Sequence, residues 1–153
     1  MNSQTLRPRL GVYRYGHPEP PDGLLIGVAR YLPRGVRRQD YANRGYFDLW
    51  LPLLSPSASL VAAYRKNQIT FRRFAANYRG EMRQPAPRQV IRLIAAISRC
   101  QPVRLGCFCE DANRCHRSVL RKLIETSAAQ LPRSFPQRPE FFSPACSMPE
   151  IED

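Results

Sequence analysis

A five-residue strand-like segment, Val103–Cys107 (VRLGC), stands between two segments of helical periodicity, and this arrangement constrains the fold more than any other feature. Upstream, Val90, Ile91, Ile94, Ala95 and Ile97 fall on one face of a helix expected from Pro87 to about Arg99. Downstream, Val119, Leu120, Leu123 and Ile124 do the same in a helix expected from about Arg114 to Ala129. Helix, buried strand and helix in succession is the rhythm of an α/β domain. A second near-continuous apolar run, Leu24–Arg30 (LLIGVAR), reads as a strand buried on both faces, and the looser alternation of Leu10–Tyr15 as another. The turn-rich GHPEPPDG stretch between them, Gly16–Gly23, is short for a parallel crossover. It predicts that the first two strands are antiparallel if they pair.

The rest of the chain supplies the covering elements. Ser55-Pro56 is a helix-start signal, and a short helix is expected over Ser57–Lys66. Thr70 can cap the next, in which Phe71, Phe74, Ala75, Tyr78 and Met82 share one face while Arg72, Arg73, Arg79 and Arg83 lie largely off it. The apolar stretch Phe47–Leu54 is grouped with this helical region. The expected architecture is α/β, with a small mixed, partly parallel sheet flanked by helices in a three-layer, Rossmann-like arrangement. A length of 153 residues suits one domain, taken as residues 1–130, followed by an irregular tail over 131–153 that holds five prolines. Phe135, Phe141 and Phe142 are candidates to dock that tail on the body.

Met1–Arg9 is polar and basic with no apolar segment behind it, and the longest apolar runs are too short to cross a bilayer. A cytoplasmic protein without a membrane partner is expected. The five cysteines are an odd number, and Cys107, Cys109 and Cys115 crowd together, which suits reduced thiols better than a disulfide framework. The net charge of +12 is unevenly placed, because Glu140, Glu150, Glu152 and Asp153 close the chain with no base among them. A field of this sign favours polyanions: nucleic acid, nucleotides or other phosphate-bearing ligands. All but Lys66 and Lys122 of the basic residues are arginine, the better bidentate phosphate ligand, although a bias in base composition would produce the same usage.

Chemistry concentrates in Gly106–Leu120 (GCFCEDANRCHRSVL), which runs from the carboxyl end of a strand through a polar loop into a helix. Ligands collect at such edges in open α/β sheets. With Asn113 or Asp111 as N-cap, the first helical turn offers free backbone N–H groups, and Arg114 and Arg117 stand beside them as anion ligands. The same field would favour a thiolate at Cys115, with His116 as acid or base and Cys107 as a further candidate nucleophile. The loop after the second strand adds Arg30 and Arg34, which join the same cleft if the strands are parallel. Cys107, Cys109, Cys115 and His116 could alternatively ligate zinc, although their spacing is not a common zinc pattern. A plainer reading makes Cys107 and Cys115 buried small hydrophobes and the arginines a solvated surface.

These residues resemble the bacterial and archaeal family called domain of unknown function 488, in its YeaO-like branch. The resemblance rests on VYRYGHPEPPDGLLIGVARYLPRGV (Val12–Val36), on FRRFAANYRGEM (Phe71–Met82) and on CFCEDANRCHRSVL (Cys107–Leu120). The last is similar to a Cys-x7-Cys-His-Arg signature, carried here by Cys107, Cys115, His116 and Arg117. One departure is Ala29, where the branch usually carries an acidic residue before the strand-end arginine. The resemblance implies an α/β fold and supplies no settled activity. Three functions follow as expectations: an enzyme acting on a phosphate-bearing substrate through Cys115 or Cys107, a non-catalytic nucleic-acid or anion-binding module, and a structural zinc-binding interaction protein. The first needs no cofactor and the last would carry zinc.

Overall fold

The computed structural model describes residues 7–17 and 21–132. Four strands, β1 (Leu10–Arg14), β2 (Leu24–Gly27), β3 (Leu49–Trp50) and β4 (Val103–Cys107), form one sheet in the order β1-β4-β2-β3. Four helices accompany them: α1 (Ala58–Arg65), α2 (Phe71–Met82), α3 (Pro85–Cys100) and α4 (His116–Gln130).

Local chemistry accounts for most boundaries. The Ser57 hydroxyl accepts from the Leu60 N–H and the Thr70 hydroxyl from the Arg73 N–H, capping α1 and α2. Helix α3 opens at Pro85, two residues before the expected Pro87, because a proline at the first helical position forfeits no intrahelical hydrogen bond. Strand β3 lies within the apolar stretch that the sequence grouped with helices, and its two residues are too few to carry an alternating pattern.

The α/β reading holds, and every strand pairing is parallel. The antiparallel pairing of β1 with β2 is not formed, since β4 lies between them and runs parallel to both. The error was one of reach. A five-residue strand spans about 17 Å and two strand spacings about 10 Å. The nine residues between β1 and β2 reach about 30 Å when extended, so no helix is needed to return the chain. Asp22, near the end of this connection, pairs with Arg104 of β4 at 2.9 Å.

The two sheet faces are covered differently. All four helices contribute to one core, in which Ile26, Val28, Val103 and Leu105 of the sheet pack with Leu60, Tyr78, Ile94, Leu120 and Ile124. Each fully buried aliphatic side chain there contributes about 1.5–3 kcal/mol. The opposite face carries Tyr13, Tyr15, Leu25 and Ala29, and its third layer is irregular chain that supplies Leu32, Val36, Tyr41, Tyr46 and Phe47. Gly27 and Gly106 are register partners on β2 and β4. A side chain at Gly106 would collide with the Tyr13 and Tyr15 rings, and one at Gly27 with Tyr15 and Phe47. The glycine pair therefore lets three aromatic rings lie directly on the sheet.

Among the described residues, no helix is long and apolar enough to cross a membrane. The expected tail from residue 133 onward, with Phe135, Phe141 and Phe142, lies outside the described residues.

Candidate functional site

At the carboxyl edge of the sheet, central β4 ends at Cys107 with β1 and β2 on either side. The loop beyond carries Cys109 and a short 3-10 turn, Ala112–Arg114, and the chain then enters α4. The Asp111 carboxylate accepts from the Asn113 N–H at 2.8 Å and so caps this turn. Neither Asn113 nor Asp111 caps α4. Cys115, in extended conformation, occupies that position, and His116 and Arg117 are the first two helical residues. Inserting the turn shifts the register by two residues from the Asn113 reading and brings Cys115 back beneath the strand end.

The result is a cluster of three thiols. The Sγ atoms of Cys107, Cys109 and Cys115 all lie within 4.8 Å of one another. Cys107 Sγ donates toward Cys109 Sγ at 3.8 Å. Cys107 and Cys115 are buried and Cys109 is exposed. Three thiols this close cannot all ionise, and the exposed one bears the least desolvation cost. Hydrogen bonding with Cys107 and then with Cys115 holds the Cys109 thiol well below its ordinary range, with the charge of Arg117 assisting. Cys115 is pushed up by the same hydrogen bonds and by burial, and Cys107 moves up by its donation to Cys109. These directions favour a single negative charge in the cluster, with Cys109 the thiol that ionises first.

His116 is buried, and its Nε2 lies 2.8 Å from the Val28 carbonyl oxygen. A carbonyl can only accept, so Nε2 carries the proton and the Nδ1 lone pair faces Cys115 Sγ at 3.7 Å. Desolvation lowers the His116 pKa, keeping the ring neutral. The Tyr78 ring stands edge-on to it at 5.5 Å, and the Tyr78 hydroxyl donates to the Leu54 carbonyl at 2.7 Å. Adjacency in sequence did not ensure a Cys–His contact, and the fold provides one.

The four arginines expected around this site are separated. Arg117 is 2 % exposed and donates through one terminal nitrogen to the carbonyls of Tyr13 (2.8 Å) and Cys107 (3.2 Å). It ties β1 to β4 behind the thiols instead of reaching into solvent. Its Nε has no hydrogen-bond partner among the described residues. Arg30, half-buried, turns to the Ser55 hydroxyl at 3.4 Å and the Pro56 carbonyl at 3.3 Å. Arg34 is exposed on the loop that leaves β2 at the same edge. Arg114 is exposed too, but lines a pocket with Tyr64, Thr70 and Phe71 at the α1–α2 corner.

For a metal, the three thiols form the close group, and His116 has only its Nδ1 to offer, 3.7 Å from Cys115 Sγ, while its Nε2 donates to Val28. Thiolates on a tetrahedral zinc ion stand about 3.8 Å apart, given a zinc–sulfur bond near 2.3 Å. The Cys107–Cys109 separation equals that spacing. Sequence reasoning counted Cys109 only as a zinc ligand and missed it as the accessible thiol. The alternation of Cys107 and Cys109 across Phe108 was the available signal, but exposure was set by the loop.

The model of the DUF488-N3a family, described as the active DUF488-N3 subclade, matches residues 10–128, which include all three clustered thiols, His116 and Arg117. Uncharacterized protein YeaO of Escherichia coli (strain K12) is 29% identical over 106 residues, covering 69% of this chain and 87% of that protein. No solved structure matches the chain.

Proposed function

The chain belongs to the DUF488-N3a family, and from that premise we propose that it is a thiol-dependent enzyme whose nucleophile is the Cys109 thiolate. One observation carries the reading: three sulfur atoms within 4.8 Å at the sheet's carboxyl edge, of which Cys109 alone belongs to an exposed residue. Cys107 acts on the nucleophile by donating its S–H toward it, while the S–H of Cys115 is directed at Nδ1 of His116, which accepts without becoming charged. The family model's description as an active subclade supports a catalytic role over a scaffolding one.

In the proposed step, Cys109 Sγ forms a bond to an electrophilic centre of the substrate while the bond to the leaving group breaks. The leaving group takes its proton from a neighbouring thiol or from water. The covalent adduct is then discharged to water or to a second acceptor, which restores the thiolate. The +12 charge of the chain favours an anionic, phosphate-bearing substrate.

The test is alkylation of the metal-free folded protein at neutral pH, resolved by residue with mass spectrometry. Cys109 is expected to react first, by at least about tenfold over exposed Cys100, since a larger thiolate fraction sets the rate. Equal rates at Cys109 and Cys100 would reject the nucleophile. Purification with one tightly held zinc ion per chain, which blocks alkylation until it is chelated, would reject it in favour of a three-thiolate metal site.

A further inference from the structure

With Arg117 and Arg30 committed to the body of the protein, the described residues gather unpaired positive charge on the helical face instead. Two grooves meet at Arg79. One, of about 340 Å³, follows the amino-terminal half of α4 and adds Arg121 and Lys122. The other, of about 740 Å³, continues between α2, α3 and α4 and adds Arg83, Arg88 and Arg92 over a floor that includes Met82, Ile91 and Leu123. Helix α4 has 15 residues, so the track it follows is about 22 Å long.

Among the described residues six cations face this track, and Glu125 is its one lining carboxylate, already paired with Arg121 at 2.8 Å. Arg79, Arg83, Arg88 and Arg92 have no ion-pair partner among the described residues. Arg79 and Arg83 are one helical turn apart, as are Arg88 and Arg92, so like charges repel at about 6 Å along each helix. A bound polyanion would relieve that repulsion. At the end nearest the thiols the track reaches Asn113, Ser118 and Phe71, and Phe71 also lines the neighbouring pocket with Tyr64 and Arg114. Guanidinium groups spaced along a groove that ends in aromatic rings suit phosphates in series followed by a stacked base, which an acidic peptide does not offer.

We propose that this groove binds the backbone of single-stranded nucleic acid, running from Arg92 and Arg83 through Arg79 toward Arg114 and Phe71. The binding does not depend on the thiol chemistry, so the two readings fail separately.

The experiment measures anisotropy of a labelled mixed-sequence oligonucleotide, as DNA and as RNA, with the full chain over a range of salt. Binding is expected to weaken steeply with salt, and alkylation of Cys109 to leave it unchanged. Joint reversal of Arg83→Glu and Arg92→Glu should lower affinity at least about tenfold, while Arg38→Glu with Arg44→Glu, the same change of charge on the opposite layer, should cost under about threefold. All four side chains are exposed, so each double variant should keep the native circular dichroism. Equal losses in the two double variants, no binding at low salt, or equal competition by polyglutamate would each overturn the proposal.

Discussion

Replacing Arg117 with methionine should destabilise the protein by about 3 kcal/mol or more, a large share of the 5–15 kcal/mol that holds a typical domain together. The side chain is fully enclosed, and its guanidinium bonds the carbonyls of Tyr13 and Cys107 on neighbouring strands. Methionine fills much of the volume but donates nothing. Both carbonyls belong to the β1–β4 ladder, and the Cys107 carbonyl also accepts from the Tyr15 N–H, so each loses only its bond from Arg117, at 2.8 and 3.2 Å. A hydrogen bond from a charged donor is worth about 1.5–3 kcal/mol. Arg117 also lowers the Cys109 pKa, so its removal should raise the thiol toward its ordinary range. Urea unfolding reads the first effect and the alkylation rate of Cys109 the second. Arg117→Lys keeps the charge without the fork, and should recover more of the thiol reactivity than of the stability. Stability within about 0.5 kcal/mol of the parent in Arg117→Met would show that the guanidinium does not tie the strands.

Gly106→Ala should be comparably damaging, at about 3 kcal/mol, the upper end for a substitution that overpacks a core. Its new methyl would stand 2.6 Å from Cε1 of Tyr15 and still nearer the Tyr13 ring. Tyr13 cannot swing freely, because its hydroxyl donates to the Tyr46 carbonyl. Tyr15 is packed against Phe47 and Phe108 with ring centres 5.5 and 4.8 Å away. Because Gly106 precedes Cys107, strand displacement there should also disturb the thiol cluster. Gly80→Ala is the matched control: nothing lies within 4 Å of its added methyl, and alanine is favoured over glycine in the last turn of α2. A thermal melt in which both variants behave alike would remove the aromatic layer as the reason for glycine at 106.

Much of the fold was legible because buried strands and amphipathic helices write themselves as hydrophobic periods. Thr70 and the VRLGC run gave α2 and β4 nearly to the residue, and α1 lies within its expected span although Ser57, not the Ser55-Pro56 pair, caps it. What escaped the sequence depends on contacts distant in the chain. Strand β3 is defined by pairing with β2, and the parallel course of β1 by the insertion of β4 beside it. The site shows the same division. Cys107, Cys115, His116 and Arg117 could be picked out as one constellation, and the fold does gather them at a strand edge. Their division of labour was not legible, because an arginine reads as an anion ligand until backbone carbonyls are found to occupy it. Exposure likewise separates Cys109 from two chemically identical neighbours, and exposure is a property of the loop's path. The result moves the accessible sulfur from Cys115 to Cys109 and the available cationic surface from the β2 loop to α2, α3 and α4.

The central claim is that three thiols share a single negative charge at neutral pH. It is tested most directly by titrating thiolate absorbance in the ultraviolet on the folded, metal-free protein, against Cys109→Ser. The account predicts one thiolate per chain already formed below pH 7 and absent from the variant, with the Cys107 and Cys115 thiols ionising only above the ordinary range near 8.5. A parent protein with no thiolate at neutral pH, all its thiols titrating together near that ordinary value, would contradict it.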